Sequence, residues 1–425
     1  MYLIFFTNIA ERYYKPTCEK MNYWDSETSN SLAGLELKKF MSKKRILKYL
    51  YHSGELSSTK IGKILRLSAP TTLAYLYELI EEDFVEDRGK GNSIGGRRPN
   101  MYGLKKNSIY VVGVDVTRHH ITSSIFNHEL ESIAQLRVKS SELKSETSLN
   151  EISNEVSGMI ADANIDPNKI MGIGVTMPGL IDSELGINYT YLTNNGKSIA
   201  YTLQQKFNRP VFIENDAKAR TLAEFRYGAA KDFLNVLYLQ VDWGLGTGMI
   251  FNGKLYRGNS GFAGEFAHIP LEADGKLCTC GKRGCLETVA SGDALVEDAL
   301  ASVKNNVESA IYKYCQENEK KLEPRTIIEF AQKGDQFALS LINKLGLALG
   351  KGISYLIQIL NPELIVLGGR VAQASEYLET PIKQSLYNYC IPKLREDAKI
   401  VQSSLGSQAG ILGAAVIVME HILEN

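Results

Sequence analysis

Tryptophan and cysteine are scarce in this chain of 425 residues, with two of the first and six of the second, and a net charge is lacking: 48 Lys and Arg meet 48 Asp and Glu. No run approaches the roughly 18 consecutive apolar residues of a membrane-crossing helix. Residues 1–10 are apolar, but they have no basic flank and no small-residue cleavage site, so they do not read as a secretory signal. Six cysteines are too few and too uneven for a disulfide framework. Cys18, Cys315 and Cys390 stand apart, while Cys278, Cys280 and Cys285 are clustered. That usage fits a metal site plus ordinary thiols in a reducing cytoplasm.

The chain does have enough length for two or three domains and, at 44% apolar residues, enough material for large cores. The neutral total also hides an asymmetry. Residues 36–105 hold 14 Lys and Arg against 8 Asp and Glu, a balance of +6, so the remainder carries −6. A basic module on an acidic body suggests a polyanionic partner for the module alone; a merely solvated basic surface is the plainer alternative.

Residues 1–35 show no period and read as an irregular extension. From Leu37 the apolar residues Phe40, Ile46, Leu47 and Leu50 fall at helical spacings up to Gly54. Ser57 and Ser58 cap a short helix carrying Ile61, Ile64 and Leu65. A third helix starts near Pro70, whose missing N–H costs nothing there, with Leu73, Leu76, Leu79 and Ile80 on one face. Residues 84–86 and 101–104 then read as a two-stranded wing. Three helices and a wing over residues 36–105 match a winged helix-turn-helix; a protein-interaction module is the rival reading. In the DNA-binding reading Ala69, Thr71, Thr72 and Tyr75 open the recognition helix toward base edges. Lys60, with Lys63 and Arg66, suits phosphates. Arg97 and Arg98, in Gly95-Gly96-Arg97-Arg98-Pro99, suit a narrow minor groove, or else form a basic linker.

Beyond Ile109 the pattern becomes α/β, with a first lobe over 106–228, a second over 229–405, and a final apolar helix near 406–425 that packs back on the first. Within the second lobe, His268, Cys278, Cys280 and Cys285 supply an imidazole and three thiolates within 18 residues. That donor set suits a closed, tetrahedral, structural Zn²⁺. Reduced thiols beside an unrelated histidine are the alternative.

Several segments together resemble the ROK family of repressors, open reading frames and kinases: residues 241–249; Gly264-Glu265-Phe266-Ala267-His268; residues 278–287; Glu214-Asn215-Asp216-Ala217; residues 361–369 and 409–415. The resemblance covers roughly residues 40–425 and includes the winged helix, which belongs to the repressor branch. It implies an actin-like, hexokinase-like pair of lobes and a homodimer or homotetramer. It also implies a sugar site built from Asn194, Asn215, Asp216, Glu265, His268 and Glu287. Carboxylates and amides of this kind bind paired sugar hydroxyls by charge-assisted hydrogen bonds, although Asn215 and Asp216 also suit a helix N-terminus. His268 would serve metal and sugar through different ring nitrogens. Ala267 stands where the family usually has glycine, which narrows the expected pocket.

In the kinases of the family, Asp216 would be the base for the sugar hydroxyl, but the phosphate-holding segments depart from the kinase pattern. The first strand ends Asp115-Val116-Thr117-Arg118-His119 in place of Asp-x-Gly-Gly-Thr, and Asp242-Trp243-Gly244 replaces Gly-Thr-Gly. Side chains there obstruct a phosphate cradle made of backbone N–H groups. The expectation is therefore a non-enzymatic, cytoplasmic repressor that binds operator DNA and a monosaccharide or amino-sugar effector. An active sugar kinase with a DNA-binding arm is the first alternative, and a repressor governed by a protein partner the second.

Overall fold

The computed structural model describes residues 32–91, 98–139, 146–192, 196–305, 308–317 and 322–424. These fall into two compact units, one ending at Ser108 and one running from Ile109.

In the first unit, helix α1 (Gly34–Ser53) begins inside the stretch expected to be irregular and ends at Gly54, whose φ of 72° suits glycine. Strand β1 (Glu55–Ser57), helix α2 (Ser58–Leu65), helix α3 (Ala69–Glu81) and strands β2 (Val85–Lys90) and β3 (Asn100–Leu104) follow. Ser57 caps α2 by accepting from Lys60 N, and Ser68 caps α3 by accepting from Thr71 N, each satisfying an N–H that the helix leaves unpaired. The sheet is three-stranded, in the order β1-β3-β2. The sequence reading missed β1, because three residues with one buried side chain, Leu56, give no alternation to detect. Phe40, Ile46, Leu47, Leu50, Leu56, Ile61, Leu76, Leu79, Val85 and Tyr102 are all at most 2% exposed and form the core. Lys43 joins them at 1%, paired with Glu78 at 2.8 Å and Glu82 at 2.7 Å. Part of the unit's basic charge is thus consumed internally.

The second unit repeats one topology twice. The first sheet has the order β10-β7-β4-β5-β6 and the second β13-β12-β11-β14-β15. The first comprises β4 (Tyr110–Val116), β5 (His120–Asn127), β6 (Ser132–Lys139), β7 (Ile170–Met177) and β10 (Val211–Asn215). The second comprises β11 (Val236–Val241), β12 (Leu245–Phe251), β13 (Lys254–Leu255), β14 (Leu364–Gly368) and β15 (Lys399–Gln402). In each, an antiparallel meander is followed by two strands added in parallel. A small hairpin, β8 (Ile181–Asp182) with β9 (Ile187–Asn188), pairs only with itself and packs beside β10. Every residue of β4 and β7 is buried, as parallel strands covered on both faces require.

Helices α4 (Glu146–Asp162) and α5 (Ile199–Phe207) cover the first sheet. Helix α6 (Asp216–Tyr227) leaves the end of β10, packs against β11 and β12 of the second sheet, and lies along α14 (Ala409–Glu424), which returns to β4 and β7. Around the second sheet stand α7 (Glu287–Ala290), α8 (Gly292–Lys304), α9 (Ala310–Glu317), α10 (Pro324–Gln332), α11 (Gln336–Leu360), α12 (Glu376–Tyr389) and α13 (Pro392–Asp397). The two long helical stretches expected near 293–317 and 325–360 are each interrupted. The sequence reading passed over α12, which contains Pro381, a residue that normally ends a helix; here it packs against Gly346 of α11, where a Cβ would come within 2.4 Å of its ring. No helix among the described residues is long and apolar enough to cross a membrane.

Candidate functional site

The cleft of the second unit begins where β10 runs into α6. Buried Glu214 accepts from Arg257 Nε at 3.0 Å and from Asn215 N at 3.0 Å, fixing the turn. Asn215 is the N-cap of α6. Its Oδ1 accepts from Ala217 N at 3.0 Å and Lys218 N at 3.2 Å, while its Nδ2 donates to Gly179 O at 3.1 Å. Asp216 opens the helix, accepting from Ala217 N at 2.9 Å and, on its other oxygen, from Gln240 Nε2 at 3.0 Å. Burial pushes the Asp216 carboxyl above its ordinary range and the neighbouring Asp115 adds to this, against an opposing pull from Arg220. Lys218 donates to Gly261 O across the cleft.

Behind Asp216 lies a buried ion pair that the sequence reading did not include. Asp115, the last residue but one of β4, is 5% exposed and accepts from Arg220 Nη1 at 3.2 Å, Nη2 at 2.9 Å and Thr176 Oγ1 at 2.9 Å. Burial alone would lower the guanidinium's pKa, but the carboxylates of Asp115 and Asp216 hold it higher than usual. Arg220 is one helical turn from Asp216, and that spacing was the available signal.

On the second lobe, Glu265 is exposed and precedes a short turn, Phe266–His268. Its Oε2 lies 3.8 Å from His268 Nε2. The other ring nitrogen, Nδ1, faces Cys278 Sγ at 3.5 Å and Glu287 Oε2 at 3.8 Å. Glu287, at the start of α7, accepts from Leu245 N at 3.3 Å. Asn194 lies outside the described residues.

Cys280 Sγ and Cys285 Sγ are 3.6 Å apart, and the donor atoms of His268, Cys278, Cys280 and Cys285 all lie within 4.8 Å of one another. Zn–S bonds of about 2.3 Å in a tetrahedron place sulfurs roughly 3.8 Å apart, so the arrangement fits. Burial and the two adjacent sulfurs push the Cys285 thiol up to about 12, whereas the backbone N–H of Lys282 holds Cys280 below the usual thiol range. The imidazole and the three sulfurs could together hold one metal ion. Gly284 is essential to the loop: φ is +68°, and a Cβ would fall 1.7 Å from Glu272 O.

In the first unit, Lys60, Ala69 and Arg98 are exposed, and Thr71 and Tyr75 partly so. Thr72 corrects the sequence reading. It is fully buried, donates to Ser68 O at 2.9 Å and sits against Gly62 of α2, so it packs the two helices together and does not face outward. Ala74 and Tyr77 are exposed on α3 instead. Arg97 lies outside the described residues.

Two duplicated α/β lobes joined through α6 and α14 define an actin-like, hexokinase-like body. The ROK family profile matches residues 111–421, and the chain belongs to that family. It is 32% identical to the xylose repressor of Bacillus spizizenii over 91% of this chain and 97% of that protein. Among solved structures, a ROK family transcriptional regulator homologous to the E. coli MLC protein matches with a TM-score of 0.76 at 26% identity, covering 91% of this chain and all of its own. A ROK family glucokinase from Streptomyces griseus, in complex with glucose and AMPPNP, matches at 0.64 and 27%. It covers 73% of this chain and 99% of its own.

Proposed function

We propose that the chain is a sugar-responsive transcriptional repressor of carbohydrate-metabolism genes. In this reading residues 36–105 bind operator DNA as a winged helix-turn-helix, and the interlobe cleft binds a monosaccharide or amino sugar. The observation that carries it is one of coverage. A glucokinase aligned almost whole accounts for 73% of this chain, whereas the regulator and the xylose repressor each account for 91%. The family profile begins only at residue 111, so the additional match falls on the basic first unit. There Lys60 would meet phosphate, Ala69, Thr71 and Tyr75 base edges, and Arg97 and Arg98 the minor groove. The partner is double-stranded DNA, and paired half-sites would call for a homodimer or homotetramer.

In the cleft, Asp216, Glu265, Glu287 and the Nε2 of His268 would engage sugar hydroxyls, with Asn215 contributing from its capping position and Asn194, outside the described residues, completing the set. His268 Nδ1, Cys278, Cys280 and Cys285 would hold one structural Zn²⁺. That ion would fix the loop and the orientation of His268. The body would not phosphorylate its ligand: the Arg220 fork neutralises Asp115, and Thr117, Arg118, Asp242 and Trp243 carry side chains where a nucleotide would need bare backbone.

A panel of monosaccharides, acetylated amino sugars and sugar phosphates tests this reading. A sugar that raises the melting temperature but is not phosphorylated with Mg-ATP supports it. ATP-dependent turnover of that sugar would support the kinase reading. Deletion of residues 1–105 should abolish binding to a duplex that the full chain selects from a random pool.

A further inference from the structure

Two loops of the second unit are tied to the first turn of α6, where Asn215 and Asp216 stand. The first follows β7. Gly179 O accepts from Asn215 Nδ2 at 3.1 Å. Asn188 braces the rest of that loop: its Nδ2 donates to Pro178 O at 2.9 Å, and its Oδ1 accepts from Thr190 N at 2.9 Å and Tyr191 N at 3.0 Å. The second loop follows β13. Ala263 N donates to Arg257 O at 3.0 Å, which closes the loop, and Arg257 Nε donates to Glu214 at 3.0 Å. Lys218, only 4% exposed, donates to Gly261 O. Gly264 has a φ of +102°, and a Cβ there would fall 2.6 Å from Thr247 O, so the turn into Glu265 admits only glycine. The two loops meet through aromatic rings. Tyr189 and Phe262 lie edge to face, with centres 5.9 Å apart at an interplanar angle of 82°. Tyr191, two residues on from Tyr189, packs against the core of the first sheet. Tyr189 itself is 50% exposed, and Phe262 is partly exposed.

We propose that Tyr189 and Phe262 form a second sugar subsite, a platform for the ring linked to the one in the cleft, so that the effector is a disaccharide or longer glycoside. The inference rests on the reading of the cleft as a sugar site and adds to it the length of the ligand. The platform is continuous with the inner site. Phe262 stands three residues before Glu265, so their Cα atoms are no more than about 11 Å apart. Both loops are held by the helix turn that carries Asn215 and Asp216. The chemistry of the platform complements that of the inner site. Carboxylates and amides there suit hydroxyls, whereas two aromatic rings offer an apolar surface to the C–H face of a pyranose. The platform is also ordered in advance. Backbone and polar bonds brace both loops without help from the rings, and the edge-to-face pair fixes the two side chains against each other, so a sugar ring docking there orders little.

Calorimetric titration of the full chain with matched sugars tests the platform. The probes are xylose with xylobiose, glucose with cellobiose and maltose, and N-acetylglucosamine with chitobiose. In the parent, at least one disaccharide should bind about tenfold more tightly than its own monosaccharide. Phe262→Ala and Tyr189→Ala should each bring that ratio close to one, and Phe262→Tyr, which keeps a ring, should retain it. Tyr189→Ala changes a half-exposed side chain, so it still reads the platform should Phe262→Ala fail to fold. Disaccharides that bind no better than monosaccharides in the parent would overturn the second subsite and leave the monosaccharide reading standing. Equal losses for both members of a pair in the variants would do the same, and would make the rings a wall of the inner site. Absence of binding by every sugar of the panel would overturn the sugar reading and the second subsite with it.

Discussion

Deep in the cleft, Asp115 and Arg220 form a bidentate pair with side-chain exposures of 7% and 11%, whereas at its mouth Arg118 and Asp293 form a comparable pair half in water. Both join an arginine to an aspartate within hydrogen-bonding distance. Their surroundings make them different devices. The deep pair stands in a low-dielectric interior where neither partner can be left alone; the outer pair has water as a ready substitute. Charge at the floor therefore fixes architecture, and charge at the mouth remains free to move.

The cysteine loop combines both conditions, with Cys278 and Cys285 buried and Cys280 exposed. Removing one ligand is expected to have the largest effect. Elemental analysis of protein purified without chelator should find about one zinc per chain and almost none in Cys280→Ser, which should also lose solubility or sugar binding. Parent protein without stoichiometric metal would refute the site. Next comes the deep pair. Arg220→Ala strands a buried carboxylate and should cost about 3–5 kcal/mol in denaturant unfolding, while the double variant Asp115→Leu, Arg220→Met should cost much less. Equal losses would mean that the pair's surroundings do not govern it.

Asp216 gives a smaller effect of opposite sign. Its carboxyl titrates higher in the folded protein than in the unfolded chain, so stability falls as pH rises through the folded value and is regained on acidification. Asp216→Asn should therefore stabilise the protein at neutral pH by on the order of 1 kcal/mol, and the gain should vanish at acid pH. The Gln240 amide can rotate to accept from the new amide, because its Oε1 has no hydrogen-bond partner among the described residues. A stability gain independent of pH would contradict this reading of Asp216. On the first unit the contrast of buried and exposed recurs in adjacent threonines. Thr72→Ala should lower stability by about 1 kcal/mol without altering base preference. Thr71→Ala should relax preference at one base pair by about 1–3 kcal/mol with little effect on stability. Exchanged phenotypes would place the wrong face on the DNA.

The same contrast explains what could be read from the sequence. The helices of the first unit, the buried strands β4 and β7 and the cysteine loop announce themselves through period, apolar runs and ligand spacing. Thr72 has no sequence signal of its burial, because residue type alone does not distinguish a hydroxyl that bonds the backbone of its own helix from one that faces solvent. Asn215 could be read either as a sugar ligand or as a helix cap, and the structure places its Oδ1 in the cap. The Asp115–Arg220 pair spans 105 residues and the Arg118–Asp293 pair 175, and no local pattern reaches that far. Segment β15 is four residues long with no buried side chain, which leaves nothing for a hydrophobic pattern to detect.

Sugar in the cleft is expected to alter DNA binding by the first unit. Such coupling is typically about 1–3 kcal/mol, and it must be reciprocal. The most direct measurement is a titration of the full chain against its selected duplex, with and without a saturating amount of the sugar found in the panel, for the parent and for Glu265→Ala. Sugar should shift the duplex affinity of the parent by about 5- to 150-fold, and Glu265→Ala should bind the duplex like the sugar-free parent and ignore sugar. Identical affinities with and without sugar in the parent would contradict it and point to control by a protein partner.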